Sequence, residues 1–200
     1  PTVSHSIHGN DGIAILDELS KSFFPRFDKY WAELDSILKK SSLSETDLCV
    51  YKSYCQRHLH PLIMSSPFCR RIYLKPLGYP GDYEMMRMLR DNEYDGPTLF
   101  AKLLNKYALN IPPAEAARHR NKYIAEKIAE FVRNHQSSEV RILSIASGPA
   151  MEIQSFIETY PELANRVHIT LMDQEIEALR YSQDCIYMKR IMYNSNIKIE

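Results

Sequence analysis

The strongest constraint on the fold of this chain is a pair of short apolar runs, each ended by a different chemistry. Val140-Arg-Ile-Leu-Ser-Ile-Ala146 stops at Ser147-Gly148-Pro149, and Val167-His-Ile-Thr-Leu-Met172 stops at Asp173. Each run is too short for a helix and suits a buried strand. A helical pattern over 150–160 separates them, a second helix is expected from about Glu175 to Met188, and Asn196–Glu200 reads as the start of a third strand. Strand–helix–strand–helix–strand is the opening of a parallel α/β sheet, because parallel strands need a crossover helix between them.

Everything before Gln136-Ser-Ser138 reads as helical, so the chain divides into a helical region, 1–136, and a sheet-forming region, 137–200. Asp11-Gly12 opens a long segment from Ile13 to about Leu38, with apolar residues at steps of three and four. Pro25 is expected to kink or interrupt it, since proline removes a hydrogen bond and crowds the preceding turn. Ser44-Glu-Thr-Asp47 has the form of a helix start, a hydroxyl cap with an acid three residues on, and that helix is expected to run to Met64 or to end sooner at Pro61. Two prolines and two glycines in Lys75–Asp82 forbid a regular element there; Asp82 then caps a short helix to about Arg90. A further helix is expected between Pro97 and Asn110. Pro112-Pro113 pre-set the first turn of a long one ending near His135.

Composition excludes several function classes. Lys plus Arg and Asp plus Glu number 25 each, and neither half of the chain is basic. There is no cationic footprint for nucleic acid or for acidic lipids. No apolar stretch approaches the roughly 18 residues of a membrane span. The start, Pro1 to Gly12, has neither the basic residues nor the apolar run of a signal peptide. The four cysteines are too sparse for a disulfide scaffold and read as reduced, largely buried thiols of a cytoplasmic protein. The spacing of Cys49, Cys55, His58, His60 and Cys69 fits no usual zinc arrangement, so no metal site is expected.

In open parallel sheets, ligands bind beyond the carboxyl ends of the strands. Gly148 lets a ligand approach the backbone closely, and Asp173, 25 residues later, can accept hydrogen bonds from both hydroxyls of a ribose. The dinucleotide fingerprint is missing, because Ala146 and Ala150 stand near the places of two of its glycines. A pyrophosphate would be poorly held, whereas a nucleoside without phosphates asks less. S-adenosylmethionine is such a ligand.

Ile142-Leu-Ser-Ile-Ala-Ser-Gly-Pro-Ala-Met-Glu152 resembles the first cofactor motif of class I S-adenosylmethionine-dependent methyltransferases, and Leu171-Met-Asp173 resembles their second. Leu77-Gly-Tyr-Pro-Gly-Asp-Tyr-Glu-Met-Met86 and Arg118-His-Arg-Asn121 narrow the resemblance to a bacterial subgroup with a helical N-terminal region. That subgroup includes enzymes making 3-hydroxy fatty acid methyl ester (extracellular factor) signals. The resemblance implies a helical region followed by the first part of a Rossmann-like methyltransferase sheet. It implies methyl transfer from S-adenosylmethionine to a small-molecule or lipidic acceptor, with oxygen favoured. It also implies that Ala146, Ser147, Gly148 and Pro149 lie under the methionine part of the cofactor. Asp173 would hold the ribose, Gln174 would lie beside the adenine, and Glu152 would reach the amino group; a helix-start carboxylate stabilised by the helix dipole is the plainer role for Glu152. Ser144 stands where the class usually has an acid.

A length argument adds an arginine. From Arg120 to Gln136 a helix rises about 24 Å. From Arg141 to Gly148 a strand rises about 23 Å. The start of the long helix therefore returns to the level of the glycine turn, where Arg118 or Arg120 could pair with a carboxylate. The Gly78–Tyr83 loop is the candidate lid: Tyr79 and Tyr83 offer flat walls, and Asp82 offers a carboxylate or simply a helix cap. A complete class I fold has seven strands; with two and the start of a third, the chain is expected to be a piece of a longer protein. The alternative is a non-catalytic module, because a three-stranded sheet leaves an open edge through which it could dimerise while binding the cofactor weakly.

Overall fold

A computed structural model describes residues 10–40 and 43–200. Residues 1–9, read above for a leader segment, lie outside the described residues. The elements in chain order are α1 (Asn10–Lys40), α2 (Glu45–His58), α3 (His60–Ile63), α4 (Pro67–Leu74), α5 (Tyr83–Asp91), α6 (Leu99–Ala108), α7 (Pro112–Asn134), β1 (Val140–Ile145), α8 (Met151–Thr159), α9 (Pro161–Ala164), β2 (Val167–Met172), α10 (Ile176–Met192) and β3 (Lys198–Ile199). The chain is mixed helix and sheet, mostly helical, with a small parallel sheet of three strands. Among the described residues no helix is long and apolar enough to cross a membrane.

Two compact units form, and they cut the helical region. One is Pro1–Pro76 with Asn92–Ile111; the other is Leu77–Asp91 with Pro112–Glu200. A single boundary at 136 does not describe them, because α5 and α7 belong with the sheet. The apolar face of β1 needs a helical cover, and the helix that precedes it supplies one.

In the first unit α6 is central, with α1, α3 and α4 packed on it. Its Ala101, Leu103 and Leu104 are buried, as is Leu109 just beyond it. The first half of α1 lays Phe23, Phe24 and Phe27 against Phe100 and Tyr107, with ring centroids 5.2–5.8 Å apart. Tyr107 donates to Asp28 Oδ1 at 2.8 Å and Tyr94 to Asp17 Oδ1 at 2.8 Å, which pins that half at two heights. Pro25 does not end α1: the helix runs through it. Pro25 and Lys21, whose carbonyl loses its donor, are both exposed, so water can replace the lost bond. The box at the start of α2 is present, with Ser44 Oγ accepting from Asp47 N–H at 3.1 Å and Asp47 Oδ2 accepting from Ser44 N–H at 3.0 Å. That helix stops at His58, and Pro61 begins a separate short turn, α3. Helix α4 is absent from the sequence reading, although Ser66-Pro67 carries its signal: Ser66 caps Cys69 N–H at 3.2 Å and proline takes the first position.

In the second unit the strand order is β1-β2-β3, all parallel. The register runs from Val140↔Val167 to Ile145↔Met172, and β3 joins through His168↔Lys198 and Ile169↔Ile199. Helix α7 packs on α8, and α8 on α10. Small residues on α7, Ala125 and Ala129, let these helices approach closely; with Val140, Val167, Ile169, Ile153, Phe156 and Ile186 they make one core. All of the inward strand residues point to the same layer of helices. On the other face of the sheet Leu143, Ile145 and Met172 stand 54, 70 and 54% exposed.

The thiols correct one expectation. All four cysteines are free, but Cys49 and Cys55 are exposed and Cys69 and Cys185 only half-buried. Cys49 and Cys55 sit on α2, which buries no residue at all. Among the described residues no cluster of His, Cys, Asp and Glu has the makings of a metal site.

Candidate functional site

Strands β1 and β2 end side by side, and the chain leaves β1 through a turn of unusual backbone. Ala146, Gly148 and Ala150 all have left-handed φ, at 53, 50 and 48°. The two alanines at fingerprint positions therefore adopt the glycine-like conformation anyway. A left-handed L-residue costs about 1–2 kcal/mol, and glycine in place of alanine gives back roughly 0.5–1 kcal/mol through the unfolded chain. Replacing exposed Ala146 by glycine is thus expected to raise the unfolding free energy by about 0.5–1 kcal/mol. The same change at Ala32, exposed within α1, is expected to lower it by about 1 kcal/mol. Urea denaturation of the two variants checks both signs.

The turn is clamped from three sides. Gly148 N–H donates to Asp173 Oδ2 at 2.7 Å, and Asp173 Oδ1 accepts from Glu175 N–H at 2.9 Å. Ser182 Oγ lies 2.7 Å from the Gly148 carbonyl and donates to it. Gln154 Nε2 donates to the Pro149 carbonyl at 2.6 Å, while its Oε1 accepts from Arg90 at 3.3 Å. Arg90 in turn donates to the Tyr181 hydroxyl at 2.5 Å. Ser182, Gln154 and Arg90 were not identified from sequence. A signal existed for two of them: Gln154 interrupts the apolar face of α8, and Ser182 sits between Ala178 and Ile186 on the buried face of α10.

The turn forms one wall of a cavity of about 920 Å³. Asp173 and Gln174 continue that wall, Arg120 and Asn121 of α7 face it, and Tyr79, Gly81 and Tyr83 close a side. A methyl group built on Gly148 would meet no atom within 4 Å, so the turn presents bare backbone to open space. Ser147 is 7% exposed, and its Oγ has no hydrogen-bond partner among the described residues. Glu152, in the first turn of α8, accepts from Ser144 Oγ at 3.3 Å. Burial pushes the Glu152 carboxyl above its usual range, against the opposing pull of its own amide, the Ser144 hydroxyl and the Arg120 charge.

Most of the residues singled out from sequence therefore meet here: Ala146, Ser147, Gly148, Pro149, Glu152, Asp173, Gln174, Arg120, Tyr79 and Tyr83. Two do not. Asp82 is 2% exposed and lies outside the cavity lining; its Oδ1 accepts from Met85 N–H at 2.8 Å and so caps α5. Arg118 turns its Nη1 to the Leu89 carbonyl at 3.2 Å, which leaves Arg120 as the arginine of the cavity. The helix-against-strand length argument holds, since Arg120 and Gly148 line the same space. Compared with known proteins, the chain matches no family model, no curated protein and no solved structure.

Proposed function

We propose that this cavity binds S-adenosylmethionine and that the chain transfers its methyl group to a small-molecule or lipidic acceptor, with oxygen favoured by the sequence resemblance. The observation that carries the reading is the Gly148–Asp173 contact of 2.7 Å at the ends of two parallel strands, with open space over Gly148. Three features support the fit. Bare backbone suits a nucleoside lying across the turn. The buried Ser147 hydroxyl has a hydrogen bond to give. Glu152 and Arg120, of opposite charge, face one space and complement an amino acid's ammonium and carboxylate.

On this reading each Asp173 oxygen, already accepting one backbone N–H, uses a remaining lone pair for a ribose hydroxyl. Glu152 takes the ammonium, Arg120 the carboxylate, and Gln174 lies beside the base. The sulfonium, when bound, supplies a methyl group already activated for transfer. What remains for the chain is to align an acceptor in line and to exclude water. Tyr79 and Tyr83 form the wall for that acceptor. A carboxylate acceptor needs no base, and Asp82 stays with its helix cap. A cytoplasmic setting, with free thiols on α2, agrees with this reading.

Titration of S-adenosylhomocysteine by calorimetry tests the proposal. Micromolar binding is expected, together with loss of binding in Gly148→Ala. The fold should survive that change, because alanine is already tolerated at the same φ two residues either side. Absence of heat with the unaltered chain sinks the reading. The alternative, a non-catalytic binding or dimerisation module, draws on the outer edge of β1, which pairs with no second strand among the described residues. Binding without turnover of any carboxylate, hydroxyl or amine acceptor favours it.

Glu152 supplies a pH test. Only its ionised form pairs with an ammonium, so affinity is expected to fall on acidification from a higher pH than an ordinary glutamate would give. Glu152→Gln should bind about tenfold more weakly at pH 7 and lose that dependence. Stability moves the other way. A carboxyl raised by folding contributes stability below its unfolded pKa and loses it as pH rises through the folded one. The ionised side chain is therefore unfavourable at neutral pH, and the glutamine variant should unfold at higher denaturant.

A further inference from the structure

Helix α1 carries one apolar stripe along its length. At 3.6 residues per turn, Leu16, Phe23, Phe27, Tyr30, Leu34 and Ile37 fall within an arc of about 120°, with Trp31 and Leu38 at its margin. The first half of the stripe is used: Leu16 is 2% exposed, and Phe23 and Phe27 lie against Phe100 and Tyr107. Beyond Asp28 it is bare, with Tyr30, Trp31, Leu34, Ile37 and Leu38 at 44–63% exposure. Helix α2 repeats the pattern: Leu48, Tyr51 and Tyr54 share one face at 47, 55 and 63%.

We propose that this stripe is the interface with a second copy of the chain, each copy laying its bare α1 face against that of the other. The area is sufficient. The five large side chains beyond Asp28, each about half exposed, offer about 100 Å² apiece, or about 1,000 Å² over two copies, which meets the threshold of a specific interface. An apolar stripe is complementary to itself, as a two-fold interface requires. Two flanking pairs are already satisfied within the helix, Lys29 with Glu33 at 3.8 Å and Lys39 with Asp35 at 2.7 Å, so closure need not strip them of partners. With zero formal net charge, two copies do not repel. A membrane surface is disfavoured, because residues 28–39 have no surplus of lysine to meet acidic lipid.

Trp31 is the only tryptophan of the chain, so its emission reads the interface directly. In sedimentation equilibrium the whole chain is expected at twice its own mass, and Trp31 emission should shift to the blue as concentration rises. Leu34→Glu with Ile37→Glu should weaken association at least thirtyfold, roughly the effect of losing a central anchor. Helical circular dichroism should not change, since both side chains are largely exposed in one copy. Tyr30→Lys, read by mass alone, gives the same answer by a single change. Three outcomes overturn the proposal: a monomer whose emission ignores concentration, a dimer that survives these substitutions, or a monomer whose Trp31 shifts only on anionic vesicles.

Discussion

Asp173→Ala is expected to abolish S-adenosylhomocysteine binding and to lower the unfolding free energy by about 2 kcal/mol. The carboxylate accepts two backbone donors, Gly148 N–H at 2.7 Å and Glu175 N–H at 2.9 Å. These are charge-assisted bonds, stronger than neutral ones. Asp173 is only half-buried, so water replaces part of what the substitution removes. The first bond ties the turn after β1 to the end of β2; the second shapes the entry to α10. Asp173→Asn separates the two duties. Its amide oxygen can stand in for only one of the two carboxylate oxygens while an NH2 faces the other donor, so stability should fall by about half as much as in the alanine variant. Binding by Asp173→Asn should be weak but measurable. Calorimetry and urea denaturation on the same preparations check both. Normal affinity in a destabilised Asp173→Ala would remove the ribose role and leave the aspartate a purely structural clamp.

The second large effect lies in the other unit. Asn105→Leu is expected to cost about 3–4 kcal/mol, because it strips partners from several buried groups at once. Asn105 is 1% exposed. Its Oδ1 accepts from Ser66 Oγ at 2.8 Å and from Phe68 N–H at 2.9 Å, and its Nδ2 donates to the Glu93 carbonyl at 3.1 Å. One amide thus holds the start of α4 and the segment before α6. Leucine has the same branched outline and is somewhat larger, so the loss does not come from a cavity. Asn105→Asp keeps the acceptor and loses the donor; it is expected to be destabilised more at neutral pH than in acid, where a protonated carboxyl can donate again. Amide exchange along α4 and α6 reads the effect locally. Unchanged protection there in Asn105→Leu would show that water fills the place of the side chain.

Local chemistry was readable where a residue acts on its own neighbourhood. Ser44 with Asp47 marked a helix start, Asp82 a cap, and Gly148 and Asp173 the ends of two strands. Expectations failed where the answer depended on exposure. Pro25 was expected to kink or interrupt α1, and the helix is not interrupted there, since Pro25 and Lys21, whose carbonyl loses its donor, are both exposed. Cys49 and Cys55 were expected inside, yet they ride on a helix that buries nothing. The left-handed Ala146 and Ala150 could not be read either, since alanine gives no sign of positive φ; the clamps on the turn from Ser182, Gln154 and Asp173 are what hold the chain there.

The order of strands and helices, the parallel sense of the sheet and the turn at its end follow from local pattern: a strand must alternate or stay apolar, a helix must repeat at 3.6, and a glycine or an acid at a strand end acts within a few residues. Which arginine enters the cavity, what braces the turn and which apolar faces stay bare follow from tertiary structure alone. Arg118 and Arg120 differ by two positions, about 200° around the helix, and only the packing of α7 on its neighbours turns one to a backbone carbonyl and the other to the open space. Periodicity shows that a helix has an apolar face; it takes the assembled fold to show whether anything covers it.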